Sequence, residues 1–255
     1  MPERTSYDPG TPSWIELATP DLAASKAFYA GLFGWEFDDQ PIGDGGTYTM
    51  CEKAGNPVAG MMQAQQGIPP AWSSFVTVGD VDATTAKAAS AGGQVIQDPF
   101  DVLDAGRMSV IGDPTGAVLC LWQPKGHIGA HLVNEHGALT WNELLTPDVD
   151  RAVDFYTQVL NWTTERFEAM DYTVFNNAAG RGIAGAMKPP AEGIPPHWGI
   201  YFSVDDCDAA VDTATQAGAS VRMPPTDMEG VGRMAALQDP QGVGFSVLAN
   251  ATPTE

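Results

Sequence analysis

Trp14 to Trp35 reads WIELATPDLAASKAFYAGLFGW, and Trp141 to Trp162 reads WNELLTPDVDRAVDFYTQVLNW. At an offset of 127 the two stretches share both tryptophan ends, Glu16/Glu143, Leu17/Leu144, Thr19-Pro20-Asp21/Thr146-Pro147-Asp148 and Phe28-Tyr29/Phe155-Tyr156. Further matches follow in the same order at an offset of 126. Pro69-Pro70-x-Trp72 pairs with Pro195-Pro196-x-Trp198, Gly106-Arg107-Met108 with Gly232-Arg233-Met234, and Asp113-Pro114-x-Gly116 with Asp239-Pro240-x-Gly242. Such ordered self-similarity is the signature of a duplicated unit.

Each copy reads as β-α-β-β-β twice. Trp14–Leu17 is short and alternating, which suits a strand. Thr19-Pro20-Asp21 reads as a helix start, with threonine as the cap, proline at the first helical position and aspartate at the positive end of the dipole. Leu22, Ala24, Phe28 and Leu32 continue at helical spacing to a stop near Gly34. Strand-like runs follow at Trp35–Asp38, Tyr48–Glu52 and Val58–Met62. The order then repeats: a strand at Ser73–Val78, a helix at Asp82–Ala91, and strands at Gln94–Gln97, Arg107–Ile111 and Val118–Trp122. Asp113-Pro114-Thr115-Gly116 fits a type I turn closing the last hairpin.

Alternation assigns faces. Trp198, Ile200, Phe202 and Val204 form an apolar face that should pack on helices, which turns His197, Gly199, Tyr201 and Ser203 the other way. Ile15 and Leu17 likewise face the helix, while Trp14 and Glu16 face away. The face left free by the helices carries Trp14, Glu16, Trp122, Trp141, Glu143, His197 and Tyr201. That mixture of aromatic and polar groups suits a concave ligand site.

Bulk composition narrows the function classes. Twelve basic against thirty-two acidic residues give a net charge of −20 over 255 residues. Such a surface repels phosphate backbones and anionic lipid, so a small-molecule ligand is expected rather than nucleic acid or membrane. The three cysteines, Cys51, Cys120 and Cys207, are scattered and odd in number, against a disulfide framework or zinc knuckle. No apolar stretch reads as a signal peptide or membrane span. A cytoplasmic chain is expected, as a monomer with internal pseudo-twofold symmetry or a homodimer. Its divisions are a disordered N-terminus at 1–10, a first domain at 11–123, a linker at 124–138, a second domain at 139–249 and a tail at 250–255.

Asp21, Phe28-Tyr29, Leu32-Phe33-Gly34-Trp35, the Asp113-Pro114-Thr115-Gly116 hairpin and the βαβββ order together resemble the vicinal-oxygen-chelate superfamily. That superfamily includes glyoxalase I, extradiol dioxygenases, fosfomycin-resistance enzymes and bleomycin-binding proteins. The resemblance spans almost the whole chain. It implies an α+β fold of two tandem glyoxalase-like domains, each a pair of βαβββ modules forming a curved sheet around a cleft with helices outside. Enzymes of the family place His, Glu or Gln metal ligands on the first and last strands of the modules. Here those positions fall on Trp14 and Trp141, on Cys120 and Ser246, on Ser73 and Gly199, and near Gly60 and Gly185. These residues are not a His/Glu set, so neither a metal nor another cofactor is expected.

Glu16 and Glu143 are then the leading catalytic candidates. A carboxylate beside tryptophan in a dry cleft should have a raised pKa and suit general acid–base work, although a structural hydrogen-bonding role fits equally. His197, the histidine outside the linker, is a candidate acid–base partner on the same face; copy 1 has Ala71 there. Trp14, Trp141, Trp122, Tyr201, Ser73, Cys120 and Ser246 are the candidate ligand-binding residues. The three tryptophans either wall a ligand or fill the cleft. His127, His131 and His136 have a ligand-like spacing, but Gly126, Gly129 and Gly137 argue against the helix that would gather them. Arg107 and Arg233 suit a structural ion pair better than an anion clamp.

Three readings follow. The chain is a metal-independent lyase, isomerase or hydrolase for a small, mostly apolar metabolite with a glutamate base. Or it is a non-catalytic, sequestering binder of the bleomycin-resistance type. Or it is a degenerate scaffold with filled clefts.

Overall fold

The computed structural model describes residues 3–43 and 46–251. In copy 1, β1 (Pro12–Thr19), α1 (Leu22–Phe33), β2 (Glu36–Ile42), β3 (Gly46–Lys53) and β4 (Asn56–Gln63) form one βαβββ unit. β5 (Ala71–Thr77), α2 (Val81–Ser90), β6 (Gln94–Val102), β7 (Gly106–Gly112) and β8 (Val118–Pro124) form the next. Copy 2 repeats the order. Its first unit is β9 (Leu139–Leu145), α3 (Val149–Leu160), β10 (Thr163–Phe167), β11 (Tyr172–Asn176) and β12 (Gly182–Met187). Its second is β13 (His197–Ser203), α4 (Cys207–Gln216), β14 (Ser220–Met228), β15 (Gly232–Gln238) and β16 (Gly244–Asn250).

Each copy folds into one eight-stranded sheet, in the orders β2-β3-β4-β1-β5-β8-β7-β6 and β10-β11-β12-β9-β13-β16-β15-β14. The first strands of the two modules pair antiparallel at the centre of each sheet, and each pairs in parallel with its own module's last strand.

The helix starts differ from the sequence expectation. Each of the four α-helices is capped by aspartate, with Asp21, Asp80, Asp148 and Asp206 each accepting from a backbone N–H three residues on. Thr19 is instead fully buried, its hydroxyl 2.7 Å from the Ser25 hydroxyl, and Pro20 lies outside the helix. A carboxylate satisfies the free N–H and favours the positive helix end. The stop at Gly34 is left-handed (φ +71°), as is its counterpart Asn161 (φ +55°). The Asp113 turn closes the β7–β8 hairpin, its Oδ1 accepting from the N–H groups of Thr115, Gly116 and Ala117.

The copies pack through their helical faces. Ile15, Leu17, Phe28, Tyr29 and Phe33 of copy 1 share a core with Phe202, Val211 and Phe245 of copy 2. A second core joins Val76, Val81 and Leu121 of copy 1 to Phe155, Tyr156, Trp162 and Trp198 of copy 2. The repeated motifs make the matching polar contacts. Trp72 Nε1 donates to the Tyr29 hydroxyl (3.1 Å), which donates to Asp239 of the other copy (3.0 Å). Trp198 donates to Tyr156 (2.9 Å), which donates to Asp113 (3.0 Å). Fully burying aromatics of this size contributes roughly 1.5–3 kcal/mol each, so these two larger cores, each built from both copies, hold the copies together.

The segments expected to be loose are tied down. The Tyr7 hydroxyl donates to Ala130 O (2.6 Å), and Trp162 Nε1 donates to Gly10 O (2.6 Å). The linker mirrors this, with Trp35 Nε1 donating to Gly137 O (2.7 Å). Gly129 passes so close that a Cβ there would lie 2.3 Å from Ser13 O, at φ +113°. Met1, Pro2 and the tail residues 252–255 lie outside the described residues. Among the described residues no helix is long and apolar enough to cross a membrane.

Candidate functional site

The strand alternation sends Trp14 and Glu16 to the face opposite Ile15 and Leu17, which are fully buried in the intercopy core. On that face Trp14 packs with Phe75, Cys120, Trp122 and Ala130 in a buried cluster, each at most 5% exposed. Glu16 is half-buried beside them. Trp14 Nε1 donates to the Tyr48 hydroxyl at 3.1 Å, and Tyr48 in turn faces Glu16 as a hydrogen-bond donor. Burial pushes the Glu16 carboxyl up to about 6, with Tyr48 pulling the other way. Removing a carboxylate from water disfavours its charge, and a donor restores part of the loss.

Copy 2 builds the same chain of bonds. Trp141 Nε1 donates to the Tyr172 hydroxyl (2.9 Å), which donates to Glu143 Oε1 (2.9 Å). Here a second phenol is added: Tyr201 donates to Glu143 Oε2 at 2.7 Å. Its equivalent in copy 1, paired with Trp14 as Tyr201 is with Trp141, is Phe75. Glu143 is buried, which raises its pKa, while Tyr201, Tyr172 and the nearby His197 oppose the rise. Both carboxylate oxygens of Glu143 are therefore occupied by phenols, whereas Glu16 faces one phenol.

The two tyrosines explain a pair of bare strand glycines. Gly60 is the register partner of Glu16, and Gly185 that of Glu143. A Cβ on Gly60 would lie 2.0 Å from the Tyr48 hydroxyl, and one on Gly185 would lie 1.9 Å from that of Tyr172. Glycine is needed because the phenol oxygen occupies the space above the strand. Tyr48 and Tyr172 were missed by sequence reasoning. Their offset is 124, so they fall out of step with the repeat, and the isolated glycines were the available signal.

The other expected residues divide. Ser73, the register partner of Glu16 across β1–β5, and Ser246, the partner of Tyr201, are half-buried on the same sheet faces as those residues. Cys120 is buried, and burial, with the charge of Glu16, pushes its thiol far up, so it stays protonated. His197 is exposed at the start of its strand, with Nδ1 2.8 Å from Pro195 O, on the edge of the site. Arg107 is held by Asp82 (2.8 and 2.9 Å) and Arg233 by Asp208 and Asp227, both away from the carboxylates. His127 departs from the other linker histidines: its ring stands edge-on to Trp14, with centroids 4.5 Å apart. His136 instead accepts from the Asp205 N–H at 3.2 Å.

The sequence profile of the Glyoxalase/Bleomycin resistance protein/Dioxygenase superfamily matches residues 11–121 and again 131–247. The chain belongs to this superfamily. A relative in Mycobacterium tuberculosis named "Putative glyoxylase CFP32" is 48% identical over 98% of this chain and 99% of its own length. The superfamily relative "Anthracycline biosynthesis protein DnrV" of Streptomyces peucetius is 35% identical over 96% of this chain and 94% of its own. The 2,3-dioxygenase LapB of Pseudomonas sp. KL28 shares the fold, with a TM-score of 0.68 at 17% identity, covering 96% of this chain and 93% of that one. So does a Mn(II)-bound glyoxalase of Novosphingobium aromaticivorans, with a TM-score of 0.65 at 18% identity, covering 96% and 86%.

The superfamily's metal positions do not fit an ion here. In copy 1 the positions that the resemblance assigns carry Trp14, Ser73 and Cys120, with the fourth near Gly60, over which the Tyr48 hydroxyl stands. In copy 2 they carry Trp141, Gly199 and Ser246, with the fourth near Gly185, over which the Tyr172 hydroxyl stands. Among the described residues no group of three His, Cys, Asp or Glu side chains is disposed to hold a metal ion.

Proposed function

We propose that the chain binds a small, mostly apolar carbonyl compound in its clefts, and that copy 1 moves a proton on it with Glu16 and without a metal. The observation carrying this reading is the Trp–Tyr–Glu chain built in both copies, with a phenol over the strand glycine near a metal position that the resemblance assigns. A carboxyl titrating at about 6 is largely ionised at neutral pH, yet basic enough to accept a proton from carbon. Tyr48, fixed by Trp14, positions it. In this reading Glu16 takes the proton α to the ligand carbonyl, the electron pair moves onto the carbonyl oxygen as an enolate, and the Ser73 hydroxyl, on the strand position paired with Glu16, donates to that oxygen. Returning the proton to the same carbon gives exchange, returning it to another carbon of a conjugated enolate completes an isomerisation, and collapse of the enolate with loss of a β leaving group, which departs with its bonding pair, makes a lyase reaction.

Copy 2 reads differently. With each oxygen of Glu143 accepting from a phenol, fewer of its lone pairs are left to meet a ligand proton, which favours a binding role of the sequestering kind. The relative named for anthracycline biosynthesis makes fused aromatic ketones the first class to try.

The test uses 2-tetralone, a fused aromatic ketone, in D2O with chelator-treated protein. Wild type should accelerate exchange of the α-protons, Glu16→Gln should lose the acceleration, and Glu143→Gln should keep it. Exchange that needs added divalent metal, or that survives Glu16→Gln, would refute the reading.

A further inference from the structure

Beside Trp14 of copy 1, one buried side-chain polar atom has no hydrogen-bond partner among the described residues. His127 lies on the linker, and its backbone is pinned from both sides: its N–H donates to Ala105 O (2.9 Å), and its carbonyl accepts from Trp122 Nε1 (2.9 Å). Its ring is 4.5 Å from the Trp14 ring at 83° and 6.0 Å from the Trp122 ring. Ring Nε2 is shut off from solvent and has no hydrogen-bond partner among the described residues. Leaving such an atom unpaired is costly, on the order of 1–3 kcal/mol. The two rings it touches, Trp14 and Trp122, have their indole N–H groups spent on the Tyr48 hydroxyl and on His127 O.

We propose that His127 Nε2 is the polar anchor of the copy-1 cleft and selects a neutral, hydroxyl-bearing aromatic ligand. The ligand's ring shares the apolar wall with Trp14 and Trp122, and its hydroxyl pairs with the imidazole nitrogen. This rests on the reading of the clefts as small-molecule sites and names the class that copy 1 takes. Three observations fix that class. Burial, reinforced by His131, pushes the imidazole down to about 4, so it is uncharged at neutral pH and offers an anion no ion pair. The chain's net charge of −20 disfavours anions further. A hydroxyl both donates and accepts, so it satisfies Nε2 in either neutral tautomer. The linker therefore serves as a specificity element of the first copy. Trp141, the counterpart of Trp14, is half-buried and has no imidazole against it among the described residues.

Calorimetric titration at pH 7 with 2-naphthol and 2-methoxynaphthalene tests this. The two probes share a ring system and differ in the hydroxyl. Wild type should bind the naphthol about fivefold more tightly, the worth of one neutral hydrogen bond. His127→Phe keeps a ring against Trp14 and removes the nitrogen, so the preference should vanish while affinity for the methoxy probe stays within about twofold. His127→Leu provides the same comparison if the phenylalanine variant fails to fold by circular dichroism. A preference for naphthol that survives in the folded variant would overturn the proposal. Equal binding of both probes to wild type would overturn it while leaving the small-molecule reading intact. Binding of neither probe would also overturn it, while the carbonyl reading stands or falls with the 2-tetralone exchange.

Discussion

Phe75 is paired with Trp14 in copy 1 as Tyr201 is with Trp141 in copy 2, and that one exchange separates a carboxylate facing one phenol from a carboxylate clamped by two. Tyr201 lies 2.7 Å from Glu143 Oε2; the phenylalanine ring offers Glu16 nothing equivalent. The duplicated unit has thus kept its Trp–Tyr–Glu chain in both places while changing what that chain leaves free.

Phe75→Tyr should give Glu16 a second donor and lower its pKa from about 6. Tyr201→Phe should raise that of Glu143. A hydrogen bond to a charged group is worth roughly 1.5–3 kcal/mol, so each shift should be about 1–2 pH units. Carbon-13 NMR titration of the two carboxyls reads both directions in one experiment.

The stability of the fold should carry the mark of Glu16. Its folded pKa of about 6 lies above the ordinary carboxyl value of 4.5, so the folded state binds more protons in that window. Stability from this group is fully present below pH 4.5 and is lost as pH rises through 6, by about 2 kcal/mol in total. Urea unfolding of wild type and Glu16→Gln from pH 4 to pH 8 should show the difference between them shrinking by that amount in favour of the glutamine variant. A difference independent of pH would contradict it.

Gly60→Ala and Gly185→Ala should each destabilise the protein, by about 1–3 kcal/mol for forced overpacking. The added Cβ would sit about 2 Å from a phenol oxygen and must push Tyr48 or Tyr172 away from its glutamate. Thermal unfolding checks the cost, and the carboxyl titration should move in the same variants.

The copies should unfold as one. Tyr29 and Tyr156 donate across the copy boundary to Asp239 and Asp113, and both hydrophobic cores draw on both copies. Tyr29→Phe leaves Asp239 and the Trp72 indole short of a buried partner, costing about 1–3 kcal/mol. A fragment of residues 1–124 should lack a cooperative urea transition, since its helical face would be exposed. Two separate calorimetric transitions in the full chain would refute this.

The duplication, the strand order and the family resemblance were legible because they depend on local period and on motifs repeated in step. The face assignment of Trp14 and Glu16 followed from alternation alone. What escaped depended on contacts distant in sequence. The Phe28-Tyr29 and Asp239-Pro240 motifs stood out as repeats, but nothing local says that Tyr29 of one copy bonds Asp239 of the other. Tyr48 and Tyr172 were hidden because loops of unequal length shift their spacing. His127 looked like one of three linker histidines, and only the path of the linker across copy 1 sets it against Trp14. Thr19 lost the cap position to Asp21 because its hydroxyl is engaged with Ser25 in the interior.

The pH profile of 2-tetralone α-proton exchange by chelator-treated protein tests the central claim most directly. Deprotonated Glu16 as the base predicts a rate that rises with an inflection near pH 6, moves to lower pH in Phe75→Tyr, and is absent in Glu16→Gln. A profile with no inflection near 6, or one unchanged by both substitutions, would contradict the assignment of Glu16 as the base.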